Sequence, residues 1–104
     1  MGLRWPEWYT LGLVSPHAKL AEGVVVMAGA IVDTEAVLGA GAIVNCGAVL
    51  DHHPQVYDFG HLGVNASMAG GSILGALAWM LAGSAIGYGV QLPTGAVLKP
   101  GVAL

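Results

Sequence analysis

From Val14 to Leu104 an aliphatic residue recurs at every sixth position: Val14, Leu20, Val26, Val32, Leu38, Val44, Leu50, Val56, Leu62, Met68, Leu74, Met80, Ile86, Leu92, Leu98 and Leu104. All sixteen positions conform, with no insertion. A six-residue period fits neither the 3.6 of a helix nor the 2 of a plain strand. Short fixed periods signal stacked repeats, and hexads signal a β-helix. With the aliphatic position called i, the residue at i+4 is small or compact throughout, as in Ala18, Val24, Ala30, Pro54, Gly60, Ser72 and Val102. Side chains two apart on a strand share a face, so each i and the small residue two before it predict one narrow interior. Position i+3 is Gly in nine of fifteen hexads, as corners with positive φ require. Three hexads then close one triangular coil of eighteen residues. The expected fold is all-β: about five coils over residues 14–104, with residue n stacked against n+18.

Residues 1–13 fall outside this register. Trp5, Trp8, Tyr9 and Leu11 are expected to cap the first coil, whose strand edges would otherwise be open. The stretch Ile73 to Leu92 is nearly charge-free and long enough to span a bilayer as a helix. The hexad register runs through it unbroken, so it reads as further repeats and no membrane partner is expected. Charged residues are only 9% of the chain and the net charge is −3, with Arg4, Lys19 and Lys99 the fixed cations. That balance argues against nucleic acid as a partner. The lone Cys46 rules out an internal disulfide. With an amino terminus that lacks a secretion-signal pattern, it points to the cytoplasm.

The eighteen-residue winding makes columns of side chains readable by arithmetic. Pro16, Thr34, His52, Gly70 and Tyr88 share one column, and His17, Glu35, His53, Gly71 and Gly89 the next. Titratable groups gather at Asp51-His52-His53, and His61 follows at an outward position. An imidazole titrates near neutrality and can take a proton from an attacking amine or hydroxyl. His52 is the candidate base, with Asp51 or Glu35 to orient it. Gly70, one coil away, offers an N–H for a developing oxyanion. Cys46 has no evident cation to lower its pKa and is a poor nucleophile. A zinc site of the β-helical carbonic anhydrase kind needs three suitably placed His, and the spacing of His52, His53 and His61 does not supply it. No metal is expected. No threonine ladder lines a face, which argues against ice binding.

The run from Val24 to Gly71 resembles the acetyltransferase domain of the sialic acid O-acetyltransferase and bacterial amino-sugar N-acetyltransferase family, within the hexapeptide-repeat acyltransferases. The resemblance rests on Asn45 seven residues before His52, then Asp51-His52, Phe59-Gly60-His61 and Ala69-Gly70-Gly71. It implies a left-handed parallel β-helix, a homotrimer, and acetyl-CoA bound as co-substrate in the groove between neighbouring copies. It implies further that His52 is the base and that Asn45 lines its pocket. His61 and His53 would then contact substrate or thioester, Gly70 would bind the acetyl carbonyl, and Leu81 and Ala82 would border the coenzyme. A small, sugar-like acceptor is expected. Two residues depart from the family pattern. His53 stands where a carboxylate follows the base, which leaves orientation to Asp51 or Glu35. Leu81 stands where Gly is usual along the coenzyme groove. No counterpart of the family's nucleotide-sugar domain is seen in the sequence. Leu77, Trp79 and Leu81 are expected to be exposed and to suit an interface between copies. The competing expectation is an inactive trimeric scaffold or binding module derived from such an enzyme.

Overall fold

The computed structural model describes residues 8–104, with Trp8 described by its backbone; Trp5 and the side chain of Trp8, assigned to the cap, lie outside the described residues. Every regular element is a short strand, and the strands form three parallel sheets that are the three sides of a prism. The first side carries β1 (Trp8–Thr10), β4 (Val24–Val26), β7 (Ile43–Val44), β10 (His61–Leu62), β13 (Trp79–Met80) and β16 (Val97–Leu98). The second carries β2 (Leu13–Val14), β5 (Ile31–Val32), β8 (Val49–Leu50), β11 (Ser67–Met68) and β14 (Ala85–Ile86). The third carries β3 (Lys19–Leu20), β6 (Val37–Leu38), β9 (Gln55–Val56), β12 (Ile73–Leu74) and β15 (Gln91–Leu92). From β2 onward every pairing joins residue n to n+18, as in Leu50 with Met68 and Leu62 with Met80. The period in the sequence is therefore the winding of the coil. The apolar stretch from Ile73 to Leu92 spans β12 to β15, and no helix among the described residues is long and apolar enough to cross a membrane.

Two residues per side fill the interior. The aliphatic residues from Val26 to Leu98 are all buried, and so are their small companions Ala30, Ala36, Ala42, Ala48, Ala66 and Ala78. Each buried Val, Leu, Ile or Met contributes about 1.5–3 kcal/mol of transfer free energy, and stacking makes that interior continuous from coil to coil. At the ends the pattern frays: Val14 and Leu20 are half-buried and Leu104 is exposed. Ser72 and Ser84 are buried polar residues at the small position. Their hydroxyls donate to the carbonyls of Ala69 (2.6 Å) and Leu81 (2.7 Å), so neither is left unpaired.

The corners are four-residue turns. At most corners the fourth residue donates its N–H back to the carbonyl of the first, as from Ala48 to Asn45 (3.1 Å) and Ala66 to Gly63 (3.1 Å). The third residue has positive φ at every corner from Gly23 to Gly101, the pattern of a type II turn, which favours Gly there. Glu35, His53, Phe59, Asn65 and Leu77 take the same conformation without being glycine. Ahead of the hexads, β1 joins the first side with a different offset: Thr10 pairs with Val26, sixteen residues on. Tyr9 and Leu11, expected in the cap, are exposed.

Candidate active site

His52 lies on the corner between β8 and β9, the second residue of the turn Asp51–Pro54. Proline has no amide hydrogen, so this turn lacks the closing bond found at other corners. The winding stacks Gly70 against His52, and the contact is close. A β-carbon on Gly70 would fall within 2.5 Å of the His52 Nε2 atom; only a residue without a side chain leaves room for the ring. Gly70 is buried. Its neighbours Ala69 and Gly71 donate their N–H groups to the carbonyls of Ile86 and His52 (3.0 Å each). The Gly70 N–H makes no hydrogen bond among the described residues, as at most second positions of these corners. Beyond Gly70 stands Tyr88, its ring centroid 6.3 Å from that of His52. Gly70 thus floors a slot between imidazole and phenol.

The ring of His52 finds its partner in His53. Their Nδ1 atoms are 3.3 Å apart, and the rings meet edge to face with centroids 5.4 Å apart. Among the described residues neither Asp51 nor Glu35 hydrogen-bonds or ion-pairs with His52; Asp51 is half-buried on the same turn, and Glu35 occupies the His53 column one coil earlier. A shallow groove of about 400 Å³ runs along the second side beside this corner, lined by Val49, Asp51, Ser67, Ala69, Ala85 and Gly87. The outward residues of that side shrink along the axis from Leu13 and Ile31 through Val49 to Ser67 and Ala85, which leaves a nearly flat floor.

A second cluster borders the opposite edge of the same side. Asn45, at the corner between β7 and β8, accepts the Cys46 N–H on its Oδ1 (2.7 Å), and this pins the amide. Its Nδ2 therefore faces Nε2 of His61 at 3.5 Å, a long contact that needs an unprotonated nitrogen there. Burial pushes the His61 imidazole below its ordinary pKa, in agreement with a neutral ring. His61 stacks on Trp79, with centroids 4.9 Å apart and planes 11° from parallel. Leu81 and Ala82 continue the Asn45 corner beyond Gly63. Leu77 and Trp79 are exposed as expected, but Leu81 is only half-buried to solvent's view. It starts a turn whose fourth residue, Ser84, bonds its carbonyl twice, through N–H and hydroxyl.

The structure thus brings His52, His53, Asp51 and Gly70 together at one corner, and Asn45, His61, Leu81 and Ala82 about another. Sequence reasoning did not pair His61 with Trp79 or His52 with His53. The first was available from the eighteen-residue step between outward strand positions. The second depends on how a side chain leaves a positive-φ corner and has no signal in the spacing.

No family model matches the sequence, and no curated protein does. Solved structures match it. A perosamine N-acetyltransferase mutant from Caulobacter crescentus, in complex with CoA and GDP-perosamine, is 32% identical over 89% of this chain and 47% of its own, with a TM-score of 0.77. The serine acetyltransferase of Neisseria gonorrhoeae, in complex with serine, is 28% identical over 81% of this chain and 37% of its own, with a TM-score of 0.72. The acetyltransferase domain of PglB from Neisseria gonorrhoeae, in complex with acetyl coenzyme A, is 28% identical over 88% of this chain and 51% of its own, with a TM-score of 0.56. The chain spans about half or less of the length of these proteins.

Proposed function

Since the chain has the left-handed β-helix of the hexapeptide-repeat acyltransferases, we propose that it transfers an acetyl group from acetyl-CoA to an amine or hydroxyl of a small acceptor, with His52 as general base. The observation that carries this reading is the close stacking of the His52 ring on Gly70, whose N–H has no partner among the described residues. A base and an anion donor meeting in one slot are what direct attack on a thioester needs. Nε2 of His52 takes the proton of the acceptor as its nitrogen or oxygen bonds to the acetyl carbon. The carbonyl oxygen, now carrying the charge, is held by the Gly70 N–H. The carbon–sulfur bond then breaks, and the imidazolium returns its proton to the departing thiolate. No covalent intermediate with the protein is required.

The second cluster supplies the other wall. It sits on the opposite edge of the second side, so a three-fold assembly would set the His52 corner of one copy against the Asn45–His61 edge of the next. Acetyl-CoA would lie in the groove between them, past Leu81 and Ala82, with His61 as a neutral polar surface toward substrate. Relatives crystallised with CoA, acetyl-CoA, a nucleotide-linked amino sugar and serine support the co-substrate and the small-acceptor class. The test pairs calorimetry with kinetics. Acetyl-CoA is expected to bind the folded protein, and His52→Ala to lower turnover by roughly 10²–10⁴-fold with that binding nearly intact. Undiminished turnover removes His52 from the reaction. Absence of acetyl-CoA binding favours a scaffold instead.

A further inference from the structure

The turn Asp51–Pro54 differs from its counterparts, and the difference falls on His53. The third position of the turn has positive φ, yet it carries an imidazole where most corners carry Gly. In the left-handed region a β-carbon crowds the following carbonyl, so His53 is held there against a local preference, and the direction in which its ring leaves the backbone is fixed. That direction leads to His52, Nδ1 to Nδ1 at 3.3 Å with the rings 77° apart. Two imidazole nitrogens in this position share a single hydrogen: one donates and the other accepts. The edge of the His52 ring that runs from Nδ1 through Cε1 to Nε2 lies over Gly70, with Cε1 and Nε2 nearest and Nδ1 farther.

We propose that His53 is the positioning residue for His52: its Nδ1 accepts the Nδ1–H of His52, so the His52 lone pair lies on Nε2, beside Gly70. The proposal rests on His52 being the base. Reversal of the shared hydrogen bond would put the His52 proton on Nε2 and leave no lone pair toward the acceptor. When Nε2 takes up the acceptor's proton, the Nδ1–H to Nδ1 bond persists and no proton passes between the rings. A neighbouring imidazole thus does for ring tautomer what a carboxylate does elsewhere. The charged and titratable groups about the pair are Asp51 on the same turn, Asp33 and Glu35 one coil before, and Tyr88 two coils after His52.

Nitrogen-15 NMR of the ring nitrogens in the full chain, at a pH well above the ordinary imidazole range, reads the tautomers directly. In the unmodified protein His52 is expected to carry its proton on Nδ1 and His53 on Nε2. His53→Gly introduces the residue most corners have at this position, so the coil stays wound, and His52 is expected to shift to the Nε2–H form. His53→Asp restores an acceptor and is expected to keep His52 in the Nδ1–H form. A His52 protonated on Nε2 in the unmodified protein, or unmoved by His53→Gly, overturns the proposal. The readout is independent of turnover, so a failure of acetyl transfer and a failure of the tautomer assignment are distinguished.

Discussion

The two edges of the second side treat an imidazole in opposite ways. His52 is exposed, sits on a turn with no closing hydrogen bond, and is partnered by another titratable ring. His61 is half-buried, stacked on an indole, and faces an amide that a backbone N–H has already pinned. One ring is open to solvent beside a second imidazole; burial favours the neutral form of the other.

Gly70→Ala is the sharpest way to break that contrast. Gly70 does not have positive φ, so the substitution acts only through the new methyl group, which enters the space of the His52 ring. Turnover is expected to fall by about 10²-fold, the scale of a displaced catalytic group, with the thermal midpoint little changed. An unchanged rate would mean that the slot between His52 and Gly70 is not the place of reaction.

A smaller effect is expected at the other edge. His61 has its pKa depressed by burial, and Trp79→Ala, which uncovers the ring, is expected to raise it toward the ordinary imidazole value in an NMR titration. The sign for stability follows by linkage. Above the ordinary imidazole pKa both folded and unfolded chains hold His61 neutral, and its contribution is fully present. As pH falls through the lowered value, the unfolded chain binds the proton more readily and stability is lost. His61→Gln is expected to flatten that acid limb in denaturation midpoints followed against pH. A titration of His61 unmoved by loss of the indole would place the cause of the shift elsewhere.

The smallest effects lie outside both edges, at corners with no proposed chemistry. Gly95 and Gly41 share a column and both have positive φ. Nothing lies within 4 Å of a β-carbon at Gly95, whereas one at Gly41 would meet the ring of Phe59 at 2.5 Å. Gly95→Ala is expected to cost about 1–2 kcal/mol from backbone strain alone, and Gly41→Ala more. Equal losses in denaturant titrations would show that Phe59 yields freely.

The coil, its interior and the stacking of His52 on Gly70 and Tyr88 were legible from the hexads, because the repeat has a single winding number and side-chain alternation does the rest. Three features were not. The offset of Trp8–Thr10 precedes the register. The Asn45–His61 contact runs diagonally across sixteen residues rather than along a column. The tilt of His52 toward His53, and away from Asp51 and Glu35, is set by rotamers at a strained turn, which periodicity does not encode. Leu81 fell between: its column was right, but it is half-buried rather than exposed.

The in-register winding has one more consequence. Every coil inherits its orientation from the one before it, so the loss or gain of a single residue inside a hexad would turn the downstream interior outward and carry His52, Gly70 and Tyr88 off their common line. Substitutions at outward corner positions carry no such penalty. The chemistry of this chain can therefore be rewritten letter by letter, while its length between corners is held fixed.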